Sequence, residues 1–103
     1  MSAPANPVRG EASVRVHGET LVLRPSFAAL VAAEAEVGSL FALVERAADG
    51  KLTLAELVGL FWHCLVEREV VSREALGEAL LAAGLARATP VLKAILQQIL
   101  AGR

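Results

Sequence analysis

Thr53-Leu54-Ala55-Glu56-Leu57-Val58-Gly59-Leu60-Phe61-Trp62-His63-Cys64-Leu65 is the stretch on which the fold turns. It opens with a hydroxyl followed three residues later by a carboxylate, a spacing at which each side chain satisfies an exposed amide at a helix start. Leu54, Leu57, Val58, Phe61 and Leu65 then recur at intervals of three and four, the period of one helical face, and Trp62 widens it. The stretch predicts a helix buried along one side. Something else in the chain must supply the surface that buries it.

Working outward, the same signals recur. On the C-terminal side, Ser72 caps a helix carrying Leu76, Leu80 and Leu81 that stops at Gly84. Thr89-Pro90 then offers a capping hydroxyl with proline at the first helical position, predicting a last helix from there to Gly102. On the N-terminal side, Ser39 caps a short helix through Ala47 with Leu40, Phe41, Leu43 and Val44, and Asp49-Gly50 breaks it. Ser26 caps another running to about Val37, closed by Gly38, with an apolar face that begins at Phe27 and continues through Leu30 and Val31. Earlier still the period changes to two. Ala12, Val14 and Val16 alternate with Ser13 and Arg15, His17-Gly18 makes a tight turn, and Thr20 to Leu23 returns as a second strand until Pro25. The expectation is a mainly α protein, a single domain over 1–103. It has a loose N-terminus over 1–10, a β-hairpin over 12–24, and a compact bundle of about five short helices over 26–101.

Composition agrees with that class. Of 103 residues, 55% are hydrophobic but only 4% aromatic, with no Tyr, so the core must be built from Leu, Val and Ala, residues that favour helices over sheets. The net charge of −1, with acids and bases interleaved, lacks the basic stripe of a nucleic-acid binder. Mean hydropathy is high at +0.55, yet acidic residues such as Glu45, Glu56 and Glu67 cut every apolar run short of the ~20 residues a membrane helix needs. The start of the chain has no basic-then-apolar leader, which predicts a soluble protein of the cytoplasm with no membrane partner.

Candidate chemistry is sparse. The segment Glu45 to Glu56 matches the second half of a calcium-binding EF-hand loop, from Asp49-Gly50 to the closing Glu56. Its first half fails, because position three is Ala47, which offers no side-chain oxygen. A degenerate EF-hand regulatory protein is thus one reading of the segment, and an ordinary turn followed by a capping box is the other. His63 and Cys64 are adjacent, so on a helix they point about 100° apart and do not form a nucleophile-base pair. Cys64, the lone cysteine, reads as a small buried apolar residue. Glu34 with Glu36, and Glu67 with Glu69, read as solvated charge, and no glycine-rich phosphate loop is present. No catalytic, cofactor or metal residues are assigned, which points to a non-enzymatic protein that binds other proteins. In the last helix Val91, Leu92, Ile95, Leu96, Ile99 and Leu100 cover about half the circumference. They form either a core stripe or a partner-binding and self-association face.

The N-terminal half carries a family resemblance. Ala5-Asn6-Pro7-Val8-Arg9-Gly10-Glu11, then Leu23-Arg24-Pro25-Ser26-Phe27-Ala28-Ala29-Leu30, then Glu34 and Val37-Gly38-Ser39-Leu40, together resemble the tail proteins of gene transfer agents and related prophages. Support continues from Gly50 to Trp62 and fades in the C-terminal helix. The resemblance implies a role in assembling phage-like tails. Its members are similar to tail assembly chaperones, encoded beside the tape-measure protein and coating it until tail-tube subunits polymerise; the family is also described as a structural tail-tube component. It implies tail proteins as partners and no cofactor, with action in the bacterial cytoplasm or, for a structural subunit, in the particle's tail. It brings no catalytic residues.

Overall fold

The computed structural model describes residues 11–101, so the N-terminal segment over 1–10 that was expected to be loose lies outside the described residues. Two strands, β1 (Ala12–Val16) and β2 (Glu19–Leu23), precede five α-helices. These are α1 (Phe27–Val37), α2 (Leu40–Ala48), α3 (Leu54–Cys64), α4 (Arg73–Ala83) and α5 (Leu85–Ala101), with a 3₁₀ turn at Arg68–Val70. The expected hairpin followed by a helical bundle is the fold observed.

β1 and β2 pair antiparallel with Val14 opposite Leu21 and Val16 opposite Glu19. His17 (φ 52°) and Gly18 (φ 81°) both take the left-handed conformation of a two-residue primed turn, which matches the natural twist of the strands. Such a ribbon is marginal alone, and here the chain after α3 completes it. Leu65 bridges Leu23, the Val66 amide donates to the Val22 carbonyl, and the Arg24 amide donates to the Cys64 carbonyl.

The first four helix starts are those the hydroxyls predict. Ser26, Ser39, Thr53 and Ser72 accept from the amides of Ala29, Ala42, Glu56 and Ala75. Gly38 and Gly84, both at positive φ, turn the chain out of α1 and α4. The core joins all layers: Leu23 from β2, Leu43 from α2, Leu60 and Phe61 from α3, Leu76 from α4 and Ile95 from α5 are fully buried.

Two expectations change. The last helix begins at Leu85, directly after Gly84, and not at Thr89-Pro90. Starting early lets Ala88 reach the core, where it is buried. Thr89 bonds backward to the Leu85 carbonyl and caps nothing. Pro90 therefore sits inside α5, where it withholds an amide from the Ala86 carbonyl; both residues are exposed, so water can serve the orphan. Pro90→Ala is expected to raise stability by about 1 kcal/mol, less than the full helix-interior penalty because proline also restricts the unfolded chain. A urea titration that moves the midpoint downward would refute it. The second change is in α1. Its buried line is Ala33 with Leu30 and Val37 against the core, while Phe27, expected to open the apolar face, is 84% exposed.

Candidate protein-interaction surface

Glu34, Glu36, Glu56 and His63, among the residues singled out for chemistry, are engaged in structure. Glu56 receives the Thr53 amide at 3.0 Å while Thr53 Oγ1 accepts from the Glu56 amide, a complete capping box, and its second oxygen pairs with Arg46 of α2. These bonds, that to the backbone amide first, hold its carboxyl below the usual range. The closing position of the EF-hand-like segment thus ties α2 to the start of α3. Millimolar calcium is expected to leave Trp62 fluorescence unchanged, and a saturable change would reinstate the calcium reading. No group of three or more His, Cys, Asp or Glu is placed to hold a metal ion among the described residues.

Cys64 is buried, and desolvation pushes its thiol up to about 12, so it is un-ionised and a poor nucleophile at neutral pH. His63 turns away from it to Glu36, with Nε2 2.8 Å from Oε1. Its Nδ1 is buried without a partner among the described residues, which fits the tautomer that carries its hydrogen on Nε2 and donates to the carboxylate.

Glu36 is more than solvated charge. It accepts from both terminal nitrogens of Arg73, each at 2.7 Å, and the Arg73 guanidinium lies 5.6 Å from the Trp62 ring centre. One carboxylate joins α1, α3 and α4. The Arg73 hydrogen bonds first, then His63, hold its carboxyl down at about 2. The neighbouring Glu34 receives the Leu40 amide and helps start α2. Sequence reading missed both roles because their partners lie on other elements or across a turn.

The α5 stripe is divided. Ile95 is fully buried, and Val91, Leu92, Leu96 and Ile99 are half-buried against the core. Leu100 is 61% exposed. The larger exposed apolar groups lie at the other end of the molecule's order of elements. Two of the chain's three phenylalanines, Phe27 on α1 and Phe41 on α2 (77% exposed), face solvent, with Val31 half exposed. The sequence held one signal of this: α1 is apolar around most of its circumference, and such a helix asks for cover on more than one side.

Helices capped in sequence, a hairpin sealed into them, engaged polar groups and exposed aromatics define a class: a small, mainly helical protein with exposed apolar surface. The chain belongs to the phage tail tube protein family GTA-gp10, whose family model matches residues 9–102. It is thus a gene transfer agent or phage tail protein, as the resemblance implied. No curated protein and no solved structure matches it. No single helix among the described residues is long and apolar enough to cross a membrane.

Proposed function

We propose that the protein is a non-enzymatic tail assembly chaperone that binds the tape-measure protein before the tube closes around it, in the bacterial cytoplasm. The observation that carries this reading is the pair of solvent-facing phenylalanines, Phe27 and Phe41, in a chain with so few aromatics. Exposed aromatic side chains cost solvation and are kept where a partner covers them. A helical apolar client docks by laying its apolar face on such a surface. Leu100, at the exposed end of the α5 stripe formed with Val91, Leu92, Ile95, Leu96 and Ile99, is a further exposed apolar group that a partner could cover.

Co-expression with the tape-measure protein tests the proposal. The two proteins are expected to co-purify, and Phe27→Ser with Phe41→Ser is expected to abolish capture while leaving the fold intact. A tape-measure protein that neither co-purifies nor gains solubility sinks the reading. The family's description as a tail tube protein favours a second one, a structural subunit acting in the particle's tail. Mass spectrometry of purified particles separates them: a subunit is present in many copies, a chaperone is absent.

A further inference from the structure

β1 is the open edge of the sheet. The outer side of β2 is closed by Leu65 and Val66, whereas nothing among the described residues pairs with the outer side of β1. Because the turn has two residues, Val16 and Glu19 exchange both backbone bonds, and bonded pairs then alternate with unbonded ones along the ladder. Ala12 and Val14 therefore turn their amides and carbonyls toward β2, and Ser13 and Arg15 turn theirs outward. Both of the latter are exposed, and these backbone groups have no hydrogen-bond partner among the described residues. Edge strands are ordinarily blunted by proline, lysine or a bulge. β1 has no proline or lysine and keeps an unbroken register with β2.

Beside this edge lies a cavity of about 180 Å³ whose walls include Val14 of β1 with Leu80, Ala88 and Val91 of α4 and α5. A cavity of roughly 150 Å³ holds a benzene ring, so one aliphatic side chain fits. Arg15 and Arg87 stand in the same walls, and no carboxylate lines them. Arg15 bonds to the neutral Thr20 Oγ1 and Gly18 carbonyl, so no acidic group pairs with it among the described residues.

We propose that the open edge of β1 takes an extended, acidic segment of another protein as a further antiparallel strand of the sheet. The segment's main chain bonds to the outward amides and carbonyls of Ser13 and Arg15. Its residue opposite Val14 lies on the sheet's inner face and enters the cavity, which selects an aliphatic side chain. The next residue, opposite Arg15, lies on the outer face, where the guanidinium selects Asp or Glu. The occupant so defined alternates carboxylates with apolar residues. Neither α1 nor α2 lines the cavity, so this site is separate from Phe27 and Phe41 and takes an extended partner in place of a helical one. It goes beyond the tape-measure reading and fails independently of it.

Titration of the isotope-labelled full chain with the acetylated, amidated peptide Glu-Val-Glu-Leu-Glu-Val-Glu, followed by amide NMR, tests it. Saturable shifts are expected along β1, with the Ser13 and Arg15 amides moving downfield and gaining protection from hydrogen exchange. The Val14 amide, already bonded to β2, keeps the protection it had. The same peptide N-methylated on its glutamates is expected not to bind, because its main chain can no longer donate to the edge. Ser13→Pro removes an outward amide that the hairpin does not use and is expected to abolish binding. Should that variant lose the hairpin, Arg15→Glu replaces it, with an expected loss of about tenfold in affinity for one reversed charge pair. Absence of saturable shifts up to about 1 mM peptide overturns the proposal, and so do shifts that the N-methylated peptide reproduces. Ser13 and Arg15 amides already protected in the free chain overturn it equally, since the edge is then covered by the chain itself or by a second copy.

Discussion

Phe61→Ala is expected to destabilise the protein by about 3–5 kcal/mol, whereas Phe27→Ala changes stability by about 0.5 kcal/mol or less. The side chain and the substitution are the same; only the surroundings differ. Phe61 is fully buried in the cluster where α3 meets Leu23, Leu43, Leu76 and Ile95. Its removal loses the transfer free energy of the ring and leaves a cavity, since helices held by caps and neighbours close in only partly. The loss is a large share of the 5–15 kcal/mol or so that a domain commonly has in hand. Phe27 sits at the first position of α1, mostly in water, so its ring contributes little to folding. Urea denaturation of both variants gives the two numbers. Equal losses would mean that Phe27 is packed in solution, and the exposed aromatic surface would be discarded with it.

The second large effect is expected at Gly59. Gly59→Ala should cost about 1–2 kcal/mol, although alanine in a helix interior is ordinarily better than glycine by about 1 kcal/mol. A Cβ built at this position falls 2.9 Å from Glu36 Oε2 and 3.1 Å from Val37 Cγ1. The carboxylate can swing aside, but only by leaving Arg73 and His63. Val37 packs against the core and has less room to yield. Glycine here buys close approach of α1 to α3, and the carboxylate uses the space.

The same carboxylate sets an acid dependence. Its pKa is lowered from 4.5 to about 2 in the folded protein, so its stabilising contribution is fully present above about 4.5. That contribution fades as pH falls through the window down to about 2. With the side chain one-third exposed, solvent screening limits it to about 1 kcal/mol. Glu36→Gln should remove this dependence and flatten the stability profile between those pH values. In a double-mutant cycle, Glu36→Gln is expected to cost less in the Gly59→Ala background than in wild type, because the first change has already displaced the carboxylate. Strict additivity would show that glycine and carboxylate act separately.

These residues mark where reading the chain succeeded and where it stopped. Ser26, Ser39, Thr53 and Ser72 were legible as helix starts, because a cap is a bond between residues three apart. The His17-Gly18 turn was legible for a similar reason. Thr89-Pro90 misled, since a good local start signal was overridden by the burial available to Ala88 four residues into an earlier helix. Phe27 misled because spacing identifies a face without saying which way it points. Of the surface proposed for partners, the α5 stripe was visible as a pattern, but the exposure of Phe27 and Phe41 was not.

The sequence by itself determined the local elements: which segments are helix or strand, where most begin and end, and that they must pack together. Those outcomes depend on backbone hydrogen bonds and side chains within about one helical turn, all of which the sequence lists in order. Tertiary structure alone decided which apolar groups are buried in the core and which stay exposed. It also decided that Glu36 lies under Arg73, 37 residues further along the chain. Burial and charge pairing are set by distance in space, and residues far apart in sequence become neighbours only when the helices have packed.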